Sequence, residues 1–195
     1  MNFDFSEQEE AFRKEVRAWL EQNLPDDLRG RSFAASRADV DEVRRLRAWQ
    51  QTMAEAGYVG MDWPREFGGR GAPITEMVIL YQEMSRAESP QLVNRGGVSM
   101  LGPTLMKYGT PAQQQRFLKK ILTAEALWCQ GFSEPNAGSD LANLQTRAVL
   151  EASISSSTAR RCGRAWATWR TGASCSCAPT PPRPGTRASR SCWWT

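Results

Sequence analysis

The run Gln130-Gly131-Phe132-Ser133-Glu134-Pro135-Asn136-Ala137-Gly138-Ser139-Asp140 gathers residue types that can hold a phosphorylated ligand. Trp128 to Phe132 has the apolar and aromatic character of a half-buried strand. Pro135 and Asn136 then break it, and Gly138-Ser139 lets the backbone approach a bound group with no Cβ in the way. Successive N–H groups in such a turn make a concavity suited to an anion, and Ser133 and Ser139 place hydroxyls at its two ends. The same residues would also serve a hairpin turn between two core strands, so both readings stand at this level. Other chemistries fall away on composition. The chain has no histidine, which excludes Ser-His-Asp and Cys-His catalysis. Its five cysteines fit no common zinc spacing, so no metal is expected.

The elements that must position this segment are mostly helical. Ser6 with Glu9 forms a capping box, and Phe12, Val16, Trp19 and Leu20 follow on one face until Pro25 stops the helix. A basic stretch from Arg29 to Arg37 reads as an exposed loop. A second helix aligns Val43, Leu46, Trp49 or Gln50, and Met53, and ends at Gly57 as its C′ residue. Met77, Leu80, Tyr81 and Met84 form the buried stripe of a third. Thr110-Pro111-Ala112-Gln113 opens another, with Thr as N-cap, Pro at N1 and Gln at N3, and Phe117, Leu118, Ile121 and Leu122 as its buried face. These stripes read as core, and Arg44, Arg45 and Arg47 as solvated surface. From Ala126 the apolar pattern shifts towards strand. The expected fold is therefore a mainly α N-terminal domain over 1–123, then the start of a β-barrel-like middle domain over 124–150, and an aberrant basic tail over 151–195 that is expected to be disordered.

The string Gly-Phe-Ser-Glu-Pro-x-Ala-Gly-Ser-Asp at 131–140 resembles the signature of the acyl-CoA dehydrogenase family of flavoenzymes. Trp63-Pro64-Arg65-Glu66-Phe67-Gly68-Gly69 resembles that family's loop between early helices. Gly102-Pro103-Thr104-Leu105 followed by Tyr108-Gly109-Thr110 resembles its later helical connection, and the three occur in the family's order and spacing. The resemblance implies an oxidoreductase of fatty acid metabolism that carries out FAD-dependent α,β-dehydrogenation of an acyl-CoA thioester. A carboxylate would remove the α proton, a polarised thioester carbonyl would make that proton acidic enough, and the β hydrogen would leave as hydride to the flavin. It further implies that Gln130, Gly131, Phe132 and Ser133 lie beside the isoalloxazine ring, Ser133 hydrogen-bonding its edge. Gly138 and Ser139 would face the pyrophosphate, with Ser139 also touching the acyl-CoA substrate. Glu134 and Asp140 read as structural, Asp140 pairing with Arg147 or capping backbone. The family's catalytic base belongs to a C-terminal helical domain, so none is expected in this chain. The chain as written is expected to be inactive and to bind FAD weakly or not at all. Electron-transfer flavoprotein is the implied electron acceptor, and a homo- or hetero-oligomer the implied assembly. A different role also fits, that of a non-catalytic fragment or partner subunit docking on a full-length dehydrogenase.

Residues 151–195 are unlike what precedes them. They carry seven Arg, no Lys and one acid, a net of +6, whereas residues 1–150 carry a net of −2. The overall charge of +4 therefore belongs to the tail and gives the helical part no nucleic-acid footprint. The tail lacks Leu, Val, Phe, Met, Tyr, Asn, Asp, Gln and Lys, which leaves almost nothing aliphatic to bury. One reading is a disordered basic extension whose Trp166, Trp169, Trp193 and Trp194 stack on single-stranded nucleic acid. The genetic code offers another. Read one nucleotide earlier, the codons of Cys192-Trp193-Trp194-Thr195 give Leu-Val-Asp without ambiguity. In the same frame Thr158 to Arg164 permits Asp-Gly-Gln-Lys-Val-Trp-Thr, and Ser174 to Thr180 permits an aliphatic strand followed by Arg-Thr-Asp. Those strings resemble the family's continuation, whose Trp-Thr pair is here replaced by Gly163-Arg164. A one-base frameshift near codon 151 is the expectation. The acidic N-terminus has no signal-peptide pattern, no apolar run reaches the length of a membrane span, and a cytoplasmic location is expected.

Overall fold

The computed structural model describes residues 5–31, 40–131, 139, 147–151, 154–158 and 192–194, with side chains described for 5–31, 40–128 and 139. It divides into two compact units, Met1–Leu127 and Trp128–Thr195.

The first unit is helical, and local chemistry sets most of its boundaries. α1 (Glu7–Asn23) begins at the expected capping box: the Ser6 N–H donates to Glu9 Oε2 at 2.7 Å, and the Glu9 N–H donates to Ser6 Oγ at 3.3 Å. It ends at Leu24, before Pro25. α2 (Val40–Glu55) closes in a full Schellman motif. Gly57 sits at φ +75°, its N–H donates to Ala54 O at 2.9 Å, and the Tyr58 N–H donates to Met53 O at 2.8 Å. α3 spans Ile74–Arg86. A π-helical turn at Gly97–Leu101 leads directly into α4 (Gly102–Tyr108). α5 (Pro111–Leu122) starts at a second capping box, Thr110 with Gln113.

The core gathers Val16 and Leu20 of α1, Val43, Leu46, Trp49 and Met53 of α2, Ile79, Leu80 and Met84 of α3, and Leu118, Ile121 and Leu122 of α5. Each such side chain contributes on the order of 1.5–3 kcal/mol by leaving water. Trp19 of α1 stacks on Trp49 of α2 with centroids 5.5 Å apart and meets the ring of Tyr58 edge-on at 4.8 Å. The α3 stripe differs from expectation. Tyr81 is exposed and Met77 only half-buried, while Ile79 and Glu83 take the inner positions. The helix is apolar on several sides, so periodicity alone misjudged which side faces α1. Ile74, Val78 and Tyr81 are left as an exposed apolar line.

Glu83 is 2% exposed and surrounded by arginines. Arg17 binds both of its oxygens at 2.9 Å, Arg86 reaches one at 2.8 Å and Arg13 the other at 3.3 Å. Arg13 also pairs with Glu10 and Arg86 with Glu21, so three carboxylates and three guanidiniums alternate between α1 and α3. Burying a carboxylate is tolerable only with such pairing.

In the second unit four short strands are described. β1 (Cys129–Gly131) pairs antiparallel with β4 (Cys192–Trp194), Gln130 opposite Trp193. β2 (Arg147–Glu151) pairs antiparallel with β3 (Ile154–Thr158), Val149 opposite Ser156, so that β3 and β4 are strands within the tail expected to be disordered, where backbone pairing needs no aliphatic side chain. Among the described residues no helix is long and apolar enough to cross a membrane.

Candidate functional site

Two of the segments singled out in sequence meet in the folded helical unit. Trp63 is 1% exposed, and Gly102 at the start of α4 lies against its indole ring so closely that a Cβ there would collide with the ring. Gly69 is equally confined, its missing Cβ facing the Trp63 and Gly60 carbonyls. Gly69 and Gly102, one from each segment, are thus spaces occupied by Trp63 and its own loop. Gly68, the C-cap of a 3-10 turn at Arg65–Phe67, adopts φ +92°, which favours glycine. Beside this loop an open depression of 660 Å³ is bordered by Arg65, Gly69, Arg70, Gly71, Pro73 and Glu76. Its cations are already engaged. Arg70 donates to Ala56 O at 2.7 Å and lies over the Tyr58 ring at 4.9 Å, and Arg65 donates to Arg70 O at 3.3 Å.

The second construction is the end of α5, from which the chain runs on to β1. Gln50 is fully buried and Asn94 is 1% exposed. Gln50 Nε2 donates to Leu122 O at 3.0 Å and Ile121 O at 3.3 Å, while its Oε1 accepts the Asn94 N–H at 2.9 Å. Asn94 Nδ2 donates to Ile121 O at 2.9 Å and Ala126 O at 3.0 Å. Arg47, read from sequence as solvated surface, donates from Nε to Ala124 O at 2.9 Å and from Nη2 to Glu125 O at 2.7 Å. The helix terminus leaves carbonyls without intrahelical partners, and these side chains from α2 and the 94 turn fill the gap. Sequence reasoning missed Asn94 and the role of Arg47. The signal for Gln50 was present, an amide set among Val43, Leu46, Trp49 and Met53.

Of the sequence-predicted site residues, Gln130 and Gly131 fall on β1 and Ser139 is an exposed bend. Phe132, Ser133 and Gly138 lie outside the described residues, as do Glu134 and Asp140. Among the described residues no group of three or more His, Cys, Asp or Glu could hold a metal ion.

Residues 6–125, which cover α1 to α5 and both loops, match the family model for the acyl-CoA dehydrogenase N-terminal domain. The chain belongs to the acyl-CoA dehydrogenase family. Among related dehydrogenases, acyl-CoA dehydrogenase IpdE1 of Mycolicibacterium smegmatis is 51% identical over 144 residues, 72% of this chain and 36% of that protein. Acyl-CoA dehydrogenase IpdE1 of Mycobacterium tuberculosis is 46% identical over 73% of this chain and 37% of its own length. The chain thus spans little more than a third of the length of these acyl-CoA dehydrogenases. Among solved structures, the Tcur3481-Tcur3483 steroid ACAD superposes with a TM-score of 0.63 at 35% identity, over 78% of this chain and 38% of the other. The ChsE4-ChsE5 complex from Mycobacterium tuberculosis does so with a TM-score of 0.62 at 30% identity, over 78% and 37%.

Proposed function

We propose that this chain carries the N-terminal helical part, and the first flavin-contacting strand, of an FAD-dependent dehydrogenase that introduces a double bond between Cα and Cβ of an acyl-CoA thioester. The observation that carries the reading is the order of parts: a helical unit matched over residues 6–125, followed within a few residues by a strand bearing Gln130 and Gly131. The donor set suits the cofactor. An extended backbone at 129–131 offers N–H and C=O groups along one edge, Ser133 and Ser139 offer hydroxyls, and Gly138 leaves room for a pyrophosphate. Bound there, FAD would supply the hydride acceptor for the β hydrogen. Gln130, Gly131, Phe132 and Ser133 would orient the ring, Gly138 and Ser139 would hold the phosphates, and Ser139 would also bind the acyl-CoA. No catalytic base is assigned to the chain. Two solved relatives are described as a steroid ACAD, at 36% and 35% identity, so a steroid acyl-CoA is the substrate class to assay first, before straight-chain thioesters. Electron-transfer flavoprotein is the acceptor to supply in that assay.

The same reading accounts for residues 151–195 by a one-base frameshift. The test is the nucleotide sequence from codon 140 to several hundred bases beyond codon 195. Restoration of an open frame encoding Gln-Lys-x-Trp-Thr by one base supports the reading. A confirmed lesion would remove the family's activity from this polypeptide, and a purified chain with stoichiometric flavin and turnover would refute the expectation that it is inactive as written.

A second reading, a subunit that docks on another dehydrogenase chain, is favoured by the exposed line of Ile74, Val78 and Tyr81 on α3. Relatives described as two-component assemblies point the same way. Co-purification with a full-length dehydrogenase, lost in Val78→Lys, would support it, and a monomer that co-purifies with no such subunit would not.

A further inference from the structure

We infer that Arg47, Gln50 and Asn94 are positioning residues for the segment that leads into the flavin-contacting strand, fixing the path of residues 121–126. The inference rests on the flavin reading given above for Gln130 to Ser133.

The carbonyls of Ile121, Leu122, Ala124, Glu125 and Ala126 all accept hydrogen bonds from these three side chains. Ending a helix requires far less: a glycine in the left-handed region closes α2 without any side chain. Here the grip runs past the helix end to Ala126, three residues before Cys129 opens β1. Ala124, wholly buried, is held at φ +54°, a left-handed conformation that costs a non-glycine residue on the order of 1 kcal/mol and persists only where its surroundings impose it. Arg47 imposes it from one side through the Ala124 and Glu125 carbonyls. Lys120, whose Nζ lies 2.8 Å from Glu125, and the Ala126 N–H bonded to Lys120 O at 3.2 Å impose it from the other. The amides are also fully committed. Both Gln50 and Asn94 spend their NH2 groups on two carbonyls each, and Gln50 is itself oriented by the Asn94 N–H. A buried network with its donors spent in this way specifies one arrangement. The arrangement specified is the path of residues 121–126.

The test uses the purified chain with Arg47→Met, Arg47→Lys and Asn94→Ala. Arg47 is at the surface, so its methionine variant keeps the aliphatic stem and the fold while removing the donors to 124 and 125. Amide hydrogen exchange is followed at 127–131 and, as reference, in α1 and α3. FAD is titrated by the visible absorption of the bound flavin. Arg47→Met and Asn94→Ala should speed exchange at 127–131 by roughly tenfold with α1 and α3 unchanged, the factor expected for one or two modest hydrogen bonds. Where the unaltered chain binds FAD, they should also weaken that binding by about tenfold and shift the flavin bands, and Arg47→Lys should restore part of both effects. Exchange that rises equally in all helices, or does not change at 127–131, overturns the inference. So does unchanged FAD affinity in a chain that binds FAD. If the unaltered chain binds no FAD, as expected with residues 151–195 as written, the exchange data alone decide whether the clamp holds the segment.

Discussion

Replacing Glu83 by glutamine tests the electrostatics that join α1 to α3. The carboxylate is 2% exposed, and its pKa is lowered from 4.5 to about 2, chiefly by the Arg17 hydrogen bonds, with burial opposing and Arg86 and Arg13 adding to the lowering. In the unfolded chain the group titrates near its ordinary value, so the folded state binds its proton less readily. Its contribution to stability is therefore complete above about pH 4.5 and is lost as the pH falls towards 2. A gap of about 2.5 pH units corresponds to about 3 kcal/mol, within reach of the loss seen when one partner of a buried ion pair is removed. Glu83→Gln keeps the shape, removes the charge and leaves Arg13, Arg17 and Arg86 facing a neutral amide. In urea unfolding followed by far-ultraviolet circular dichroism, the variant should be less stable than the parent by about 3 kcal/mol at neutral pH, and the two should converge as the pH approaches 2. A difference that stays constant across that range would refute the reasoning, because packing rather than charge would then hold the helices. A difference below about 0.5 kcal/mol at neutral pH would refute it as well, since the arginines would then be solvated rather than anchored.

Gly102→Ala should cost about 1–3 kcal/mol by driving a methyl into the Trp63 ring, seen as a lower melting temperature; a neutral substitution would show that the ring can move aside. Thr110→Ala should cost about 1 kcal/mol by opening the α5 capping box, measured in the same way. Burial, with Glu15 accepting the Tyr58 hydroxyl at 3.0 Å, pushes the Tyr58 pKa up from 10.0 to about 12. Its stabilising contribution is complete below pH 10 and falls away as the pH rises to about 12, so Tyr58→Phe should flatten the alkaline stability profile over that interval, and an unchanged slope would dismiss the effect.

Features that depend on residues a few positions apart were legible in the sequence. Both capping boxes and the glycine stop at Gly57 stand where the residue types place them, because their partners are three to five residues away. The α3 face was legible only in part: Leu80 and Met84 are inside, but an apolar residue at nearly every turn position conceals which side meets α1, and Tyr81 is exposed. The clamp on α5 escaped because Arg47 and Gln50 reach carbonyls more than 70 positions away, and no short pattern encodes such a reach. A basic residue on an exposed helix face looks the same whether it meets water or a distant carbonyl. Glu83 carries a warning of the same kind, an acid between Leu80 and Met84 whose three arginines sit on two helices. Of the segment from Gln130 to Asp140, the strand at Gln130 and Gly131 agrees with the reading from residue types.

The π-helical turn at Gly97–Leu101 has a consequence for insertions and deletions. The Gly102 N–H bonds five residues back to Gly97 O, so the rod formed by this turn and α4 holds one residue more than an α-pitch rod of equal reach. Losing one residue between 97 and 101 would let the turn rewind to α pitch with the preceding and following faces still in phase, whereas adding one, with no further wide turn to absorb it, would rotate them against each other by about 100°. An insertion would therefore turn a side-chain-bearing neighbour onto the Trp63 ring in place of Gly102. The phase of this rod is thus locked by an aromatic plate that accepts only hydrogen at one position, and natural length variation at 97–102 should take the form of a one-residue deletion rather than an insertion.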